Sequence, residues 1–207
     1  VWDEMPRTGL PYFFDSFTDY QRHVNVLVQA GLIEDGTKVW WDVRPSARYP
    51  TLEMRICDVC TRIDDALAVA ALFQCILRML YRLRQTNQRW RQYSAMLVNA
   101  NRWRAQRYGI DAGLVDFGRG EIVPYEGLLE EIIDLISEDA EALGCKQEIL
   151  HLRTIRAEGT SAHRQVATYQ SALKDGQDTD QALKAVVDIL IEETKDAGRT
   201  GVLPLKA

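Results

Sequence analysis

The spacing of apolar residues along this chain changes period several times, and each change marks an element. Ser16-Phe17-Thr18-Asp19 offers a capping hydroxyl and a first-turn acid, which predicts a helix to about Ala30 with Gly31 as its stop. Period-two alternation follows and predicts strands at roughly 38–44 and 51–58. From Asp64-Asp65 onward, Leu67, Val69, Ala70, Leu72, Phe73, Ile76, Leu77 and Leu80 cover most of a helix circumference. A helix apolar nearly all round is a buried one, so it is expected to pack across the sheet those strands form. A second helix is predicted near 88–108, closing at Tyr108-Gly109.

Leu114-Val115-Asp116-Phe117 and Glu121-Ile122-Val123-Pro124, with Gly118 and Gly120 between them, read as a small hairpin. Amphipathic helices are predicted near 125–143, 146–158, 161–174 and 179–195, with Thr160-Ser161 and Thr179-Asp180 as caps. The tail from Gly198 reads as loosely held. The pattern holds no internal repeat, and the fold class it predicts is α+β. A few antiparallel strands lie in a part spanning about 1–124, a mainly helical part spans about 125–196, and a tail about 197–207 ends the chain.

The first two strands carry the most informative pattern, Trp40-Trp41-Asp42-Val43-Arg44-Pro45 and Thr51-Leu52-Glu53-Met54-Arg55-Ile56-Cys57-Asp58. Glu53 and Arg55 are two apart and share one face, while Leu52, Met54 and Ile56 take the other. Asp42 and Arg44 share a face in the same way. A sheet face with two acids and two arginines is costly to bury unless something charged sits on it. A carboxylate on a rigid strand is a natural Mg²⁺ ligand beside nucleotide phosphates. An arginine two residues along can stabilise a phosphoryl group as charge builds on it. By itself Glu-x-Arg equally fits a salt-bridged surface strand.

Composition sets wide bounds. The chain has 207 residues, 46% hydrophobic and 27% charged, which is ordinary for a globular protein with a sizeable core. No run approaches the ~18–20 apolar residues of a membrane helix, and the N-terminus lacks a basic-then-apolar signal pattern. The chain begins at Val1, and its first residues read as the middle of a domain, so a fragment or processed piece is expected. Four cysteines are present, and the pair Cys57-x-x-Cys60 has no second pair to complete a zinc site. Buried free thiols in a reducing cytoplasm are expected instead. The net charge of −5 hides an asymmetry. No Asp or Glu falls between Ala66 and Ile110, yet Arg78, Arg82, Arg84, Arg89, Arg91, Arg102, Arg104 and Arg107 do, and an acidic stretch follows from Asp111 to Gly159. The two stretches either pair with each other or leave some arginines for phosphate or carboxylate groups.

The block Trp40-Trp41-Asp42-Val43-Arg44-Pro45 with Tyr49-Pro50-Thr51-Leu52-Glu53-Met54-Arg55-Ile56-Cys57-Asp58-Val59 resembles the carboxylate–amine ligases, also called type 2 glutamate–cysteine ligases. The resemblance extends to Pro6-Arg7-Thr8-Gly9-Leu10-Pro11, to Asn101-Arg102-Trp103-Arg104-Ala105 with Arg107-Tyr108-Gly109, and to Gly159-Thr160-Ser161-Ala162 with Arg164-Gln165. These motifs occur in family order over essentially the whole chain. The resemblance implies a glutamine synthetase-like superfold whose antiparallel sheet forms a funnel for ATP and Mg²⁺ or Mn²⁺. It implies activation of a carboxylate, typically the γ-carboxylate of glutamate, as an acyl phosphate, followed by attack of an amine such as that of cysteine. Carried over residue by residue, Glu53 becomes a metal ligand and Arg55 a catalytic, phosphate-contacting residue. Asp42 and Arg44 orient substrate or metal-bound water, and Arg102 and Arg104 are candidates for binding ATP or carboxylate. Family members are about twice this length, and the part this chain lacks is their N-terminal half. The active site is therefore expected to need that half, in the same polypeptide or from a second chain, or a homo-oligomer.

Other readings are narrower. His23, His151 and His163 lack metal-ligand spacing and read as surface or packing residues. Asp64-Asp65 reads as a helix start, and Asp116-Phe117-Gly118 has no glycine-rich or catalytic-loop companion that would make it a kinase triplet. One ring of Trp40-Trp41 is expected in the core and the other in a cavity. Nucleic-acid binding by the arginine-rich stretch with Trp90, Tyr93 and Trp103 conflicts with the acidic whole. An ATP-dependent ligase leads, with a partner-dependent subunit that retains the ligase fold as the alternative.

Overall fold

A computed structural model describes residues 5–196. The tail predicted as loosely held lies outside them. The described residues are α+β with about 60% helix, and the chain divides into two units, Val1–Asp58 and Val59–Ala207.

In the first unit, helix α1 (Phe17–Gln29) starts as its sequence dictates: the Ser16 hydroxyl accepts a hydrogen bond from the Asp19 N–H at 3.1 Å. A 3₁₀ turn at Gly36–Lys38 is capped by Asp35, whose carboxylate accepts from the Thr37 N–H at 2.7 Å. Strand β1 (Thr8–Gly9) runs parallel to β2 (Trp40–Trp41), and β3 (Val43–Pro45) pairs antiparallel with β4 (Leu52–Met54). Asp42 joins the two pairs. Its N–H donates to Gly9 O at 2.8 Å, and its carbonyl accepts from the Arg55 N–H at 2.7 Å. The strands are shorter than the alternation predicts because Trp40 and Trp41 pair with β1 and only the residues beyond Asp42 pair with β4. The core is Tyr20, Ile33, Val39 and Trp41, with Phe14, Val24 and Leu27 against it.

The second unit holds α2 (Ile63–Gln85), α3 (Ala95–Tyr108), the antiparallel hairpin β5 (Leu114–Asp116) and β6 (Glu121–Val123), and then α4 (Tyr125–Leu135), α5 (Ser137–Leu143), α6 (Lys146–Glu158), α7 (Ser161–Lys174) and α8 (Thr179–Asp196). The buried face of α2 (Ala68, Ala71, Cys75, Met79) is filled by Leu129, Ile133, Ile136, Ala140, Ile149 and Leu152 from the α4–α6 segment. Helices therefore cover the face that was expected to meet the sheet. Leu67 and Leu80 of α2 stay exposed, so this helix is amphipathic and not buried all round. By length and composition it could cross a membrane, yet its Asp65, Arg78 and Arg82 are all engaged in ion pairs with neighbouring helices.

Three boundaries differ from expectation. Residues 88–94 are not helical, because Ser94 caps α3, its hydroxyl accepting from the Leu97 N–H at 3.4 Å. The span predicted as one helix over 125–143 breaks at the fully buried Ile136, and α5 then presents Asp139 to α2. Asp178, not Thr179, caps α8: its carboxylate accepts from the Gln181 N–H at 2.8 Å, and Gln181 Oε1 accepts from the Asp178 N–H at 3.0 Å.

Candidate functional site

The register of β3 and β4 places Arg44 opposite Glu53, Val43 opposite Met54 and Pro45 opposite Leu52. With the Asp42–Arg55 hydrogen bond extending that register, the alternation puts Asp42, Arg44, Glu53 and Arg55 on one face. The four sequence candidates on the hairpin are thus brought together.

Their environments differ. Arg44 is 6% exposed, and its Nε and Nη1 donors are committed. Nε donates to Glu53 Oε2 at 2.9 Å, while Nη1 donates to Thr37 O at 2.6 Å and Val39 O at 2.7 Å. It ties the 3₁₀ turn and the strand after it to Glu53, which makes it a positioning residue. Arg55 Nη1 approaches Glu53 Oε2 at 3.7 Å from the other side, and its side chain is 38% exposed, so it can turn toward a ligand. Burial pushes the Glu53 carboxyl up, but hydrogen bonds from Arg44 and Ser46 and the Arg44 and Arg55 charges outweigh it and hold the group below the usual carboxylate range. Asp42 is buried.

Two neighbours escape sequence reasoning. Ser46 hydrogen-bonds Glu53. Tyr20 of α1 has its phenol pushed up by burial, with the Arg44 and Glu53 charges acting on it in opposite directions. The register could have pointed to Ser46, which lies two beyond Arg44 on its face. Nothing local in the sequence points to Tyr20. Trp41 fills the core beside Tyr12, Phe14 and Tyr20. Trp40 lines a cleft of ≈ 390 Å³ with Arg7, Lys38 and the Gly31–Glu34 segment. The Arg7 segment is docked there by backbone pairing, Arg7 O accepting from the Trp40 N–H at 2.9 Å.

In the second unit, Asn101 and Arg104 hold α3 to the hairpin. Asn101 Nδ2 donates to Val115 O at 2.9 Å, and its Oδ1 accepts from the Val115 N–H at 2.8 Å. Arg104 Nε and Nη2 both donate to Gly113 O, at 3.1 and 3.0 Å, and its guanidinium lies 5.5 Å from the Tyr108 ring centroid. Two of the donors of Arg104 thus serve the fold. Arg102 is half-buried on the same helix.

The charge asymmetry resolves in part as pairing. Arg78 and Arg82 of α2 both bond Asp139, which is fully buried. Burial pushes that carboxyl up, but Arg82 and Arg78 outweigh it and hold it below the usual range. Asp65 does more than start a helix. It is buried, with His151 Nε2 at 2.9 Å and Arg164 Nη2 at 3.5 Å, and Arg164 pairs in turn with Glu193 of α8. His163 Nδ1 accepts from the Thr160 N–H at 3.1 Å, closing the start of α7, and its Nε2 faces Asp111 at 3.1 Å. Both histidines of this unit thus bond partners within its helical packing.

Among the described residues, no group of three or more His, Cys, Asp and Glu is placed to hold a metal ion. Glu53 offers one carboxylate, which suffices for magnesium only where phosphate oxygens complete the shell.

The chain matches glutamate-cysteine ligase family 2 over residues 1–188. It is 62% identical over 97% of its length to a Rhodospirillum rubrum protein named "Putative glutamate--cysteine ligase 2" and covers 53% of that protein. Proteins of the same name from Jannaschia sp. and Ruegeria pomeroyi are 52% and 51% identical over 93% of the chain, which covers 51% and 50% of them. The chain spans about half the length of the curated relatives it matches. It belongs to glutamate-cysteine ligase family 2.

Proposed function

We propose that this chain is the portion of an ATP-dependent carboxylate–amine ligase that carries the hairpin Glu53–Arg55 end of its active site. The observation that carries the reading is the single carboxylate of Glu53 held between Arg44 and Arg55 on one sheet face, in a chain of this family. A carboxylate is a poor phosphoryl acceptor, and bringing it to ATP sets two anions together. Cations on both sides of the transferring group relieve that repulsion. Glu53, fixed in its ionised form by Arg44 and Ser46, would hold Mg²⁺ or Mn²⁺ together with nucleotide phosphates. The metal supplies charge neutralisation at the transferring phosphoryl group. Arg55, the more exposed cation, faces phosphate, and Asp42 orients the substrate amine or its water.

In the reaction, the γ-carboxylate of glutamate takes the terminal phosphoryl group of ATP and releases ADP. The amine nitrogen, with cysteine as the first candidate, then attacks the acyl carbon and expels phosphate, leaving an amide. The acyl phosphate must be kept from water until the amine arrives. A glutamine synthetase-like sheet, assembled with the half that the longer relatives carry, would build that enclosure. That half comes from the same polypeptide or from a second chain.

The test is ADP release by the complete enzyme with Mg²⁺, glutamate and a panel of amines. Amine-dependent ADP release that Glu53→Gln abolishes is the expected result. Wild-type turnover in Glu53→Gln would overturn the site. Absence of amine-stimulated ADP release in the complete enzyme would overturn the ligase reading.

A further inference from the structure

Two thiols outside the hairpin site sit face to face. Cys75 lies in the middle of α2 and is fully buried. Cys145 caps the N-terminus of α6 and is half-buried. They are 70 positions apart in the chain, yet their Sγ atoms are 3.5 Å apart. No role proposed above uses either. Two sulfurs in a disulfide stand about 2.05 Å apart, so closing this pair needs a movement of about 1.5 Å, within reach of small side-chain rotations. The backbone on both sides is already fixed. Cys75 is held in the α2 core, and the Cys145 N–H donates to Ala140 O at 3.0 Å.

We infer that Cys75 and Cys145 form an oxidation site, closing an intramolecular disulfide that staples α2 to the start of α6 by exchange with a small-molecule disulfide such as oxidised glutathione.

The order of events follows from exposure. Burial and the hydrogen bond with Cys145 push the Cys75 thiol up to about 12, so it is protonated and out of reach of solvent. Cys145 is the less buried of the two. Its thiolate attacks one sulfur of the small disulfide, forming a mixed disulfide and releasing one thiolate. Cys75 then gives up its proton and attacks Cys145 Sγ, which releases the second thiolate and forms the Cys75–Cys145 bond. Two protein thiols lose two electrons and two protons, and one small disulfide is reduced to two thiols. The closed bond lies beside the Arg78–Asp139 pair, since Arg78 is one helical turn beyond Cys75. It therefore locks the α2–α5–α6 packing that the core and this ion pair define.

The experiment incubates the purified protein with oxidised glutathione over a range of reduced-to-oxidised ratios. Free thiols are then blocked, and the digest is read by mass spectrometry without reduction. A linked peptide pair containing Cys75 and Cys145, accumulating as the buffer becomes more oxidising and lost on reduction, is the expected result. The melting temperature of the oxidised form should rise by about 5–15 °C, an effect absent in Cys75→Ser. In Cys75→Ser the mixed glutathione disulfide should stop at Cys145. A parallel run on Cys57→Ser/Cys60→Ser separates any bond in the Cys-x-x-Cys segment. The inference is overturned if Cys75 and Cys145 are recovered as separately blocked thiols at every ratio, or if the linked pair appears only with Cys57 or Cys60 as a member.

Discussion

Arg44 and Glu53 face each other across the β3–β4 ladder, with Arg44 Nε 2.9 Å from Glu53 Oε2 and the same guanidinium holding the carbonyls of Thr37 and Val39. One buried arginine thus fixes both the ionised state of the candidate metal ligand and the turn leading into its sheet. Arg44→Ala strands a half-buried carboxylate and two carbonyls, so it is expected to cost about 3 kcal/mol of stability. Arg44→Lys should recover little of this, because an ammonium cannot reproduce the planar fork. Urea unfolding followed through the Trp41 environment checks both, and an unchanged midpoint in Arg44→Ala would remove the positioning role.

Arg55 should behave in the opposite way. Its side chain is more than a third exposed and only grazes Glu53, so Arg55→Ala is expected to change stability by less than about 1 kcal/mol. Under the proposed function, in which Arg55 faces phosphate, turnover of the complete enzyme should fall about 10²-fold or more. Equal loss of stability in Arg44→Ala and Arg55→Ala variants would contradict this division of labour.

Acid should unfold the protein through its paired carboxylates. Asp139, Glu193 and Glu53 all have folded-state values held below their ordinary ones by arginines. A depressed carboxyl stabilises fully above its unfolded pKa of about 4 and loses that contribution as pH falls through the folded value. Stability is therefore expected to be flat near neutrality and to decline from about pH 5 downward. Asp139→Asn, which leaves Arg78 and Arg82 without their buried anion, should cost about 3 kcal/mol at neutral pH. Its decline with acid should be shallower. Melting temperatures across pH 3–8 for both proteins decide the point.

Asn101→Ala should free the hairpin from α3. The side chain makes both a donor and an acceptor bond to the Val115 backbone, so its loss is expected to cost about 1–3 kcal/mol locally. Amide exchange at Val115 should accelerate by at least tenfold while the α2 and α6 amides stay protected. Uniform acceleration would mean that the hairpin and the helical core unfold together.

Gly113→Ala tests the same corner by volume. A Cβ there would lie 1.8 Å from Val123 O, and that backbone cannot swing aside as a side chain would. Displacing the segment also moves the Gly113 carbonyl that receives Arg104. The variant is expected to lose the β5–β6 pairing, read as disappearance of slow exchange at Val115 and Val123, whereas Gly120→Ala, with open space at its Cβ but a positive φ, should be milder.

Much of this protein is legible in its sequence. The start of α1 at Ser16 and of α7 at Thr160 follow from their caps, and the hairpin at Leu114–Val123 and the spans of α6 and α8 from glycines and apolar periods, all of which act over a few residues. The alternation of Asp42, Arg44, Glu53 and Arg55 was enough to predict one charged face, and the antiparallel register agrees. The family, too, was written in the motifs.

What the sequence could not decide was how each charge is spent. Arg44, Arg55, Arg78, Arg82 and Arg104 look alike in the sequence, and only the fold makes Arg44 a buried clamp, pairs Arg78 and Arg82 with Asp139, and turns Arg104 onto Gly113 O. The break at Ile136 and the meeting of Cys75 with Cys145 are likewise tertiary facts. The reason is range. Hydrogen-bonding period and capping are set by neighbours three or four residues away, so the chain itself determines them. Burial, and with it the value of a charge or a thiol, is set by contacts between residues as far apart as Arg78 and Asp139, 61 positions along the chain.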